Sequence, residues 1–261
     1  MDLNLQHKTA LVIASSQGLG KAVAKKLAQE GANVVITGRD AEKLEILQQE
    51  LAYIGDGRII SKVCDITDLE QIKELVRHTV EEFGEIDVLV NNAGGPPAGT
   101  FEEISDDQWY KAFELNLLSY VRVIREVLPF MKEKGGRIVN IASSSVKEPI
   151  AGLLLSNTFR MGIVGLTKTL SQEYAPQNIL INTLAPGRIA TDRVAFLDET
   201  SAKNNGITAE EMAEKNKSLI PLGRYGEPEE FANYAVFLLS GANTYVTGQT
   251  LLVDGGMVKS V

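Results

Sequence analysis

The strongest constraint on how this chain folds is a regular alternation of two hydrophobic patterns. Seven short runs are apolar at nearly every position and rich in β-branched residues: TALVIA (9–14), NVVIT (33–37), IISKVC (59–64), IDVLV (86–90), GRIVNIA (136–142), ILINTLA (179–185) and TLLVD (250–254). Strands covered on both faces have this composition, because neither face meets water. Between the runs lie longer helical patterns at 19–30, 41–53, 68–83, 106–133, 156–174 and 228–239. Strand–helix alternation builds right-handed βαβ crossovers, which implies an α/β fold: a doubly wound parallel sheet of about seven strands with helices on both faces. No linker, repeat or low-complexity segment interrupts residues 1–261, so the expectation is one domain.

One stretch breaks the alternation. Residues 188–220 are polar, carry the break Asn204-Asn205-Gly206, and lie between two strands that would otherwise be closely connected. An insertion at the carboxyl end of a strand points to a lid over a substrate, with a peripheral helical hairpin as the alternative.

Charge and cysteine content narrow the function class. A formal net charge of -8 argues against a non-specific nucleic-acid binder. A lone cysteine, Cys64, allows no internal disulfide and suits a reducing compartment, and His7 and His78 are too isolated to suggest a metal site. With no basic-then-apolar leader and no apolar run near the roughly 20 residues that span a bilayer, the expected location is cytoplasmic, away from membranes.

The first strand–helix junction reads ASSQGLGKAVAKKLAQEG, and its Ser15, Ser16, Gly18, Leu19 and Gly20 form a candidate phosphate loop. Glycines there let the backbone approach a pyrophosphate, and free N–H groups at the positive end of the helix attract it. Within the first βαβ unit this is the signature of a Rossmann-type dinucleotide site. The second strand ends Thr37-Gly38-Arg39-Asp40, with no acid at its tip to hold a ribose 2′-hydroxyl. Arg39 suits a 2′-phosphate and Asp40 suits the cap of the next helix, which favours NADP(H) over NAD(H).

Several further motifs follow in order: CDITD (64–68), NNAG (91–94), Asn116 in ELNLLSY, RIVNIASS (137–144), INTLAPGRIATD (181–192), GRYGEPEEFANYAVFLLS (223–240) and YVTGQTLLVDGG (245–256). Over essentially its whole length the chain resembles the short-chain dehydrogenase/reductase family, and within it is most similar to the 3-oxoacyl-(acyl-carrier-protein) reductases. The resemblance implies an oxidoreductase acting on a small-molecule carbonyl or alcohol, and favours a homotetramer or homodimer. It implies that Asp65 and Ile66 border the adenine, that Asn92, Ala93 and Gly94 line the far side of the cofactor, and that Pro186, Gly187 and Thr191 meet the nicotinamide end. It also implies that Ser143 orients the substrate carbonyl and that Asn116 helps hold a proton-relay water. The bland alternative for Asn92 and Asn116 is hydrogen bonding to backbone alone.

Two departures stand out. The phosphate loop begins Ile13-Ala14 where the family has Thr-Gly, which alanine tolerates if its φ is negative. More consequentially, the family's catalytic Tyr and Lys, four residues apart, fall on Ser156 and Arg160 when GIVGLTKTL (162–170) is matched. That spacing still places both side chains on one helix face. Serine is far less acidic than a phenol, and a guanidinium stays protonated and relays nothing, although it can hydrogen-bond the ribose hydroxyls or an anionic substrate, or steady an oxyanion. Three outcomes are open: a working NADP(H)-dependent reductase whose proton comes from water, Ser143, Ser156 or Lys147; a fold that binds NADP(H) but is catalytically weak or silent, serving as a sensor or partner; or chemistry without hydride transfer. The last fits least, because family members that trade the Lys for Arg keep the Tyr and lose the nucleotide loop.

Overall fold

The computed structural model describes residues 1–260. Its seven strands are β1 (Thr9–Val12), β2 (Asn33–Gly38), β3 (Ile59–Val63), β4 (Val88–Asn91), β5 (Gly136–Ile141), β6 (Ile179–Pro186) and β7 (Thr250–Val253), in the order β3-β2-β1-β4-β5-β6-β7. Every pairing is parallel. The order reverses between β1 and β4, and at such a switch point the loops leaving the strands diverge and open a crevice at their carboxyl ends.

Successive strand residues face opposite layers. Val12, Val34 and Ile36 pack beneath α1 (Gly18–Gln29), α2 (Ala41–Leu51) and α9 (Pro228–Leu239). Their neighbours Leu11, Ile13 and Val35 pack beneath α3 (Leu69–Phe83), α5 (Ser119–Met131) and α6 (Leu154–Tyr174). This double coverage explains why the strands are apolar at consecutive positions. Among the described residues no helix is long and apolar enough to cross a membrane.

The helix expected over 106–133 is in fact three pieces: α4 (Asp106–Phe113), one π-helical turn (Glu114–Leu118), and α5. The extra residue of a π turn bulges the helix without ending its apolar stripe, so periodicity alone cannot reveal it. The polar insertion folds as α7 (Asp192–Asn205) and α8 (Ala209–Ser218), divided at Gly206. The two helices are knotted to the loops beside them by Asp198, whose buried carboxylate accepts from Arg188 (2.6 Å), Asn216 (2.8 Å) and the Tyr225 hydroxyl (2.6 Å).

Ala14 corrects an expectation. Its φ is 50°, in the left-handed region, not negative. Two contacts hold it there: the Ala14 carbonyl accepts from the Asn92 amide at 3.1 Å, and the next residue's backbone N–H donates to the Thr37 carbonyl at 2.8 Å. An L-residue in that conformation costs about 1–2 kcal/mol.

Candidate functional site

The crevice at the carboxyl ends of the strands is a cavity of about 740 Å³, within the size range of small-molecule sites. Its nucleotide end is built from backbone. Gly18, at φ 58°, opens α1, and Gln17 before it supplies no side-chain cap, so the first N–H groups of the helix remain free toward the cleft. A Cβ on Gly20 would stand 2.5 Å from the Ala14 carbonyl oxygen, so only glycine lets the helix close on the loop. Ser16, Gly18 and Leu19 line the cavity. Ser15 does not: its hydroxyl donates to the Val12 carbonyl (2.8 Å) and accepts from the Thr37 N–H (2.9 Å), tying β1 to β2. Ser15, placed in the phosphate loop by the sequence, thus turns its hydroxyl toward the sheet, and Gly20 acts through packing.

Beyond the loop, Arg39, Asp40, Asp65 and Ile66 line the wall. Asp40 caps α2 by accepting from the Lys43 N–H at 3.1 Å, and Arg39 is exposed. Lys43, missed in the sequence, joins them from the first turn of α2, where its Nζ also donates to the Gln17 side chain at 3.2 Å. Asp65 turns its carboxylate back to Thr67, accepting from its N–H (3.0 Å) and hydroxyl (2.8 Å). Burial and then the nearby Asp65 carboxylate push the Cys64 thiol up to about 12, which favours the protonated form.

The other end is built from side chains. Asn92, Ala93, Gly94, Ser143, Ser156, Arg160, Pro186, Gly187 and Thr191 all reach it. Helix α6, which carries Ser156 and Arg160, is fixed to the sheet by a buried polar chain: Asn91 donates to Asn140 (2.9 Å), Asn140 to Thr167 (2.9 Å), and Thr183 to Thr167 (2.8 Å). Asn92 does reach backbone, through Ala14, while still facing the cleft. Ser143 heads a 3₁₀ turn, its hydroxyl accepting from the Ser145 N–H at 3.2 Å. Ser156 stands open to the cavity, one turn before Arg160. Lys147 is exposed and not part of the cavity wall.

Arg160 is turned inward. One guanidinium nitrogen donates to the Tyr120 hydroxyl (2.9 Å) and the Ile141 carbonyl (2.8 Å), and the other to the Ala93 carbonyl (3.2 Å). Donors expected to serve ribose or substrate are therefore spent on bridging the loop after β4, strand β5 and α5. Its Nε finds no partner. Tyr120, which donates in turn to Ile141 at 2.8 Å, is fully buried, and burial raises its phenol above the ordinary value. Nothing in the sequence around Tyr120 signals this pairing across forty residues.

Asn116 occupies the π turn and is completely buried, behind the cavity wall rather than on it. Neither end of its amide has a protein partner. Arg193, at the start of α7, also lines the cavity and donates to the Pro96 carbonyl at 2.8 Å; the sequence offered only its place beside Thr191. Among the described residues no cluster of His, Cys, Asp or Glu is arranged to hold a metal.

Comparison with known proteins matches this architecture from end to end. A family model described as enoyl-(acyl carrier protein) reductase covers residues 13–258. The 3-oxoacyl-[acyl-carrier-protein] reductase of Aquifex aeolicus is 36% identical over 98% of this chain and 100% of its own. An NADPH-dependent reductase of Bacillus subtilis, BacG, is 33% identical over 98% and 100%. Among solved structures, L-sorbose reductase from Gluconobacter frateurii, complexed with NADPH and L-sorbose, superimposes with a TM-score of 0.95 at 32% identity, covering 100% of both chains. Similarity that runs through the sheet, the phosphate loop and both helical layers settles the descent of the fold: the chain belongs to the short-chain dehydrogenase/reductase family.

Proposed function

We propose that this protein is an NADP(H)-dependent oxidoreductase that reduces a ketone or, in reverse, oxidises the alcohol. The observation that carries the cofactor assignment is the nucleotide end: a phosphate loop that a Cβ at Gly20 would close, free N–H groups at the start of α1, and two cations, Arg39 and Lys43, where an acid would serve NAD(H). Similar proteins point the same way, since they include NADPH-dependent reductases and NADPH complexes. The 3-oxoacyl substrates of the reductases it resembles remain one candidate class among ketones.

When bound, NADPH supplies a hydride. The chain's own residues do the rest. Ser143 offers its hydroxyl to the carbonyl oxygen, and the fixed charge of Arg160 favours negative charge developing there. Arg160 cannot give up a proton, and Ser156 is too weak an acid to be the ultimate source. Water admitted beside Ser156 is the donor this site suits best, with the unpartnered amide of Asn116 behind it as a place for a relay water to rest. Helix α7 covers this end through Val194, Phe196 and Leu197, as a lid would. A homotetramer or homodimer is the matching assembly, with Tyr110, Phe113, Phe130 and Met161 exposed on α4, α5 and α6.

A second reading, an NADP(H)-binding partner or sensor with little catalysis, draws support from the three Arg160 donors committed to Tyr120, Ile141 and Ala93. A panel of acyl, steroid and sugar ketones with NADPH separates the two. Slow turnover is expected, and Ser143→Ala should lower kcat by about 10²–10³. Ser156→Tyr with Arg160→Lys should raise it. No NADPH oxidation by either protein would favour the binding role, and an active protein indifferent to Ser143→Ala would remove that serine from the mechanism.

A further inference from the structure

The catalytic end of the cavity carries two guanidinium groups and no carboxylate paired to either. Arg160 is 5% exposed, lines the cavity, makes hydrogen bonds only to neutral partners, and leaves its Nε without one. Arg193 reaches the same space from the first turn of α7 and lies flat over Gly95, where a Cβ would stand 2.8 Å from its guanidinium. Its one hydrogen bond goes to the Pro96 carbonyl, and its ring contact is with Phe196 at 5.9 Å. The contrast with Arg188, nearby in the chain, is direct: that arginine pairs with Asp198 at 2.6 Å. Of the acids lining the cavity, Asp40 and Asp65 belong to the nucleotide end and are engaged in a helix cap and in Thr67. Asp192 lies on the exposed side of α7's first turn.

Two like charges brought together in a partly desolvated space repel each other, and each has lost water it would otherwise keep. Arg193 registers both effects: its pKa is lowered by burial first and by the positive charge of Arg160 second. The arrangement is costly unless an anion joins it. Thr191, the N-cap of α7, makes no side-chain cap bond, so the N–H groups of that helix add to the positive field.

We propose that the substrate of this site is a ketone carrying a carboxylate, held by Arg193 as its direct cationic contact, with the buried charge of Arg160 behind it adding to the attraction. The assignment rests on the NADP(H)-dependent reductase reading for the position of the cofactor, and adds the charge of what lies beside it. A thioester or a sugar brings no charge to offset the pair, whereas a carboxylate matches the planar fork of a guanidinium. The carboxylate is unchanged in the reaction; it orients the ketone against Ser143.

The test is a binding measurement on the whole protein saturated with NADP+, which cannot reduce a ketone, so that activity is not needed. Acetoacetate and its neutral isostere acetoacetamide are titrated by calorimetry. Acetoacetate should bind about tenfold or more tightly, and Arg193→Met should bring the two to within about twofold. Arg193→Lys should keep part of the preference and guards against a variant that misfolds. Affinity for NADP+ should change by less than about twofold in Arg193→Met. Equal binding of the two ligands by the natural protein overturns the proposal, as does a preference that survives Arg193→Met. A matching loss of NADP+ affinity would also overturn it, since the anion served would then be the cofactor's pyrophosphate. Failure of the natural protein to bind NADP+ at all breaks the underlying assignment instead, and the two ligands are then compared on the free protein, where equal binding again counts against the carboxylate.

Discussion

The two ends of the cleft are made by different means. The nucleotide end is shaped by backbone: the left-handed Ala14 and Gly18, the uncapped start of α1, and the close approach of Gly20 to the loop. The catalytic end is shaped by a handful of side chains on a frame that stays put whichever side chains it bears. Helix α6 keeps its place through Asn140, Thr167 and Thr183, none of which touches the cleft. The side chains at 156 and 160 can therefore vary without moving a strand. A fold of this kind can lose or redirect its chemistry while keeping its cofactor site, because separate residues serve cofactor and substrate.

If backbone governs the nucleotide end, a backbone insult there should have the largest effect. Gly18→Val places a β-branched residue at φ 58° beside Thr191 and should weaken NADP(H) binding by about 100-fold or more, with the fold retained. Nicotinamide fluorescence measures the binding and circular dichroism the fold. Normal affinity in this variant would mean that the pyrophosphate lies elsewhere. Arg39→Ala should do less, removing one exposed charge-assisted contact while Lys43 remains; a loss of about tenfold for NADPH and almost none for NADH is expected. Equal affinity of the natural protein for NADPH and NADH would sink the 2′-phosphate assignment altogether.

The same division explains what could be seen in the sequence. Strand–helix alternation was legible because strands buried on both faces must be apolar throughout, and the glycine loop because its chemistry is local. Three features were not. The π turn at 114–118 keeps the apolar stripe of its flanking helices. The inward turn of Ser15 depends on Thr37 in the neighbouring strand. Arg160 is captured by Tyr120, forty residues earlier and on another helix. The last two are set by tertiary partners, and no spacing rule reaches that far. Ala14 belongs with them, since alanine on its own prefers negative φ and only the Asn92 and Thr37 contacts hold it over.

Ala14 also sharpens the comparison. Replacing it with glycine removes the left-handed penalty but enlarges the freedom of the unfolded chain, and the balance should be a gain of about 0.5–1 kcal/mol. Urea unfolding reads this directly, and cofactor affinity should hold within about twofold, because the loop's path is unchanged. A loss of stability would show that the strain at Ala14 is relieved by contacts its methyl group makes.

The smallest of these effects concerns the anchoring of α7, the helix that covers the catalytic end. Tyr225 donates to Asp198, and burial together with that hydrogen bond pushes its phenol up to about 12. An unfolded tyrosine ionises near a pKa of about 10. Between those values the folded protein keeps a proton that the unfolded chain gives up, so the contribution of Tyr225 is complete below pH 10 and drains away as the pH rises toward 12. Phenylalanine cannot titrate. The stability difference between the natural protein and Tyr225→Phe, measured by urea unfolding, should be constant from pH 7 to about 9 and shrink steadily above about 10. Lysines that titrate in the same range are common to both proteins and cancel in the difference. A gap that stays constant through pH 12 would mean that the phenol does not hold Asp198 in solution, and that the wall formed by α7 is anchored by Arg188 and Asn216 alone.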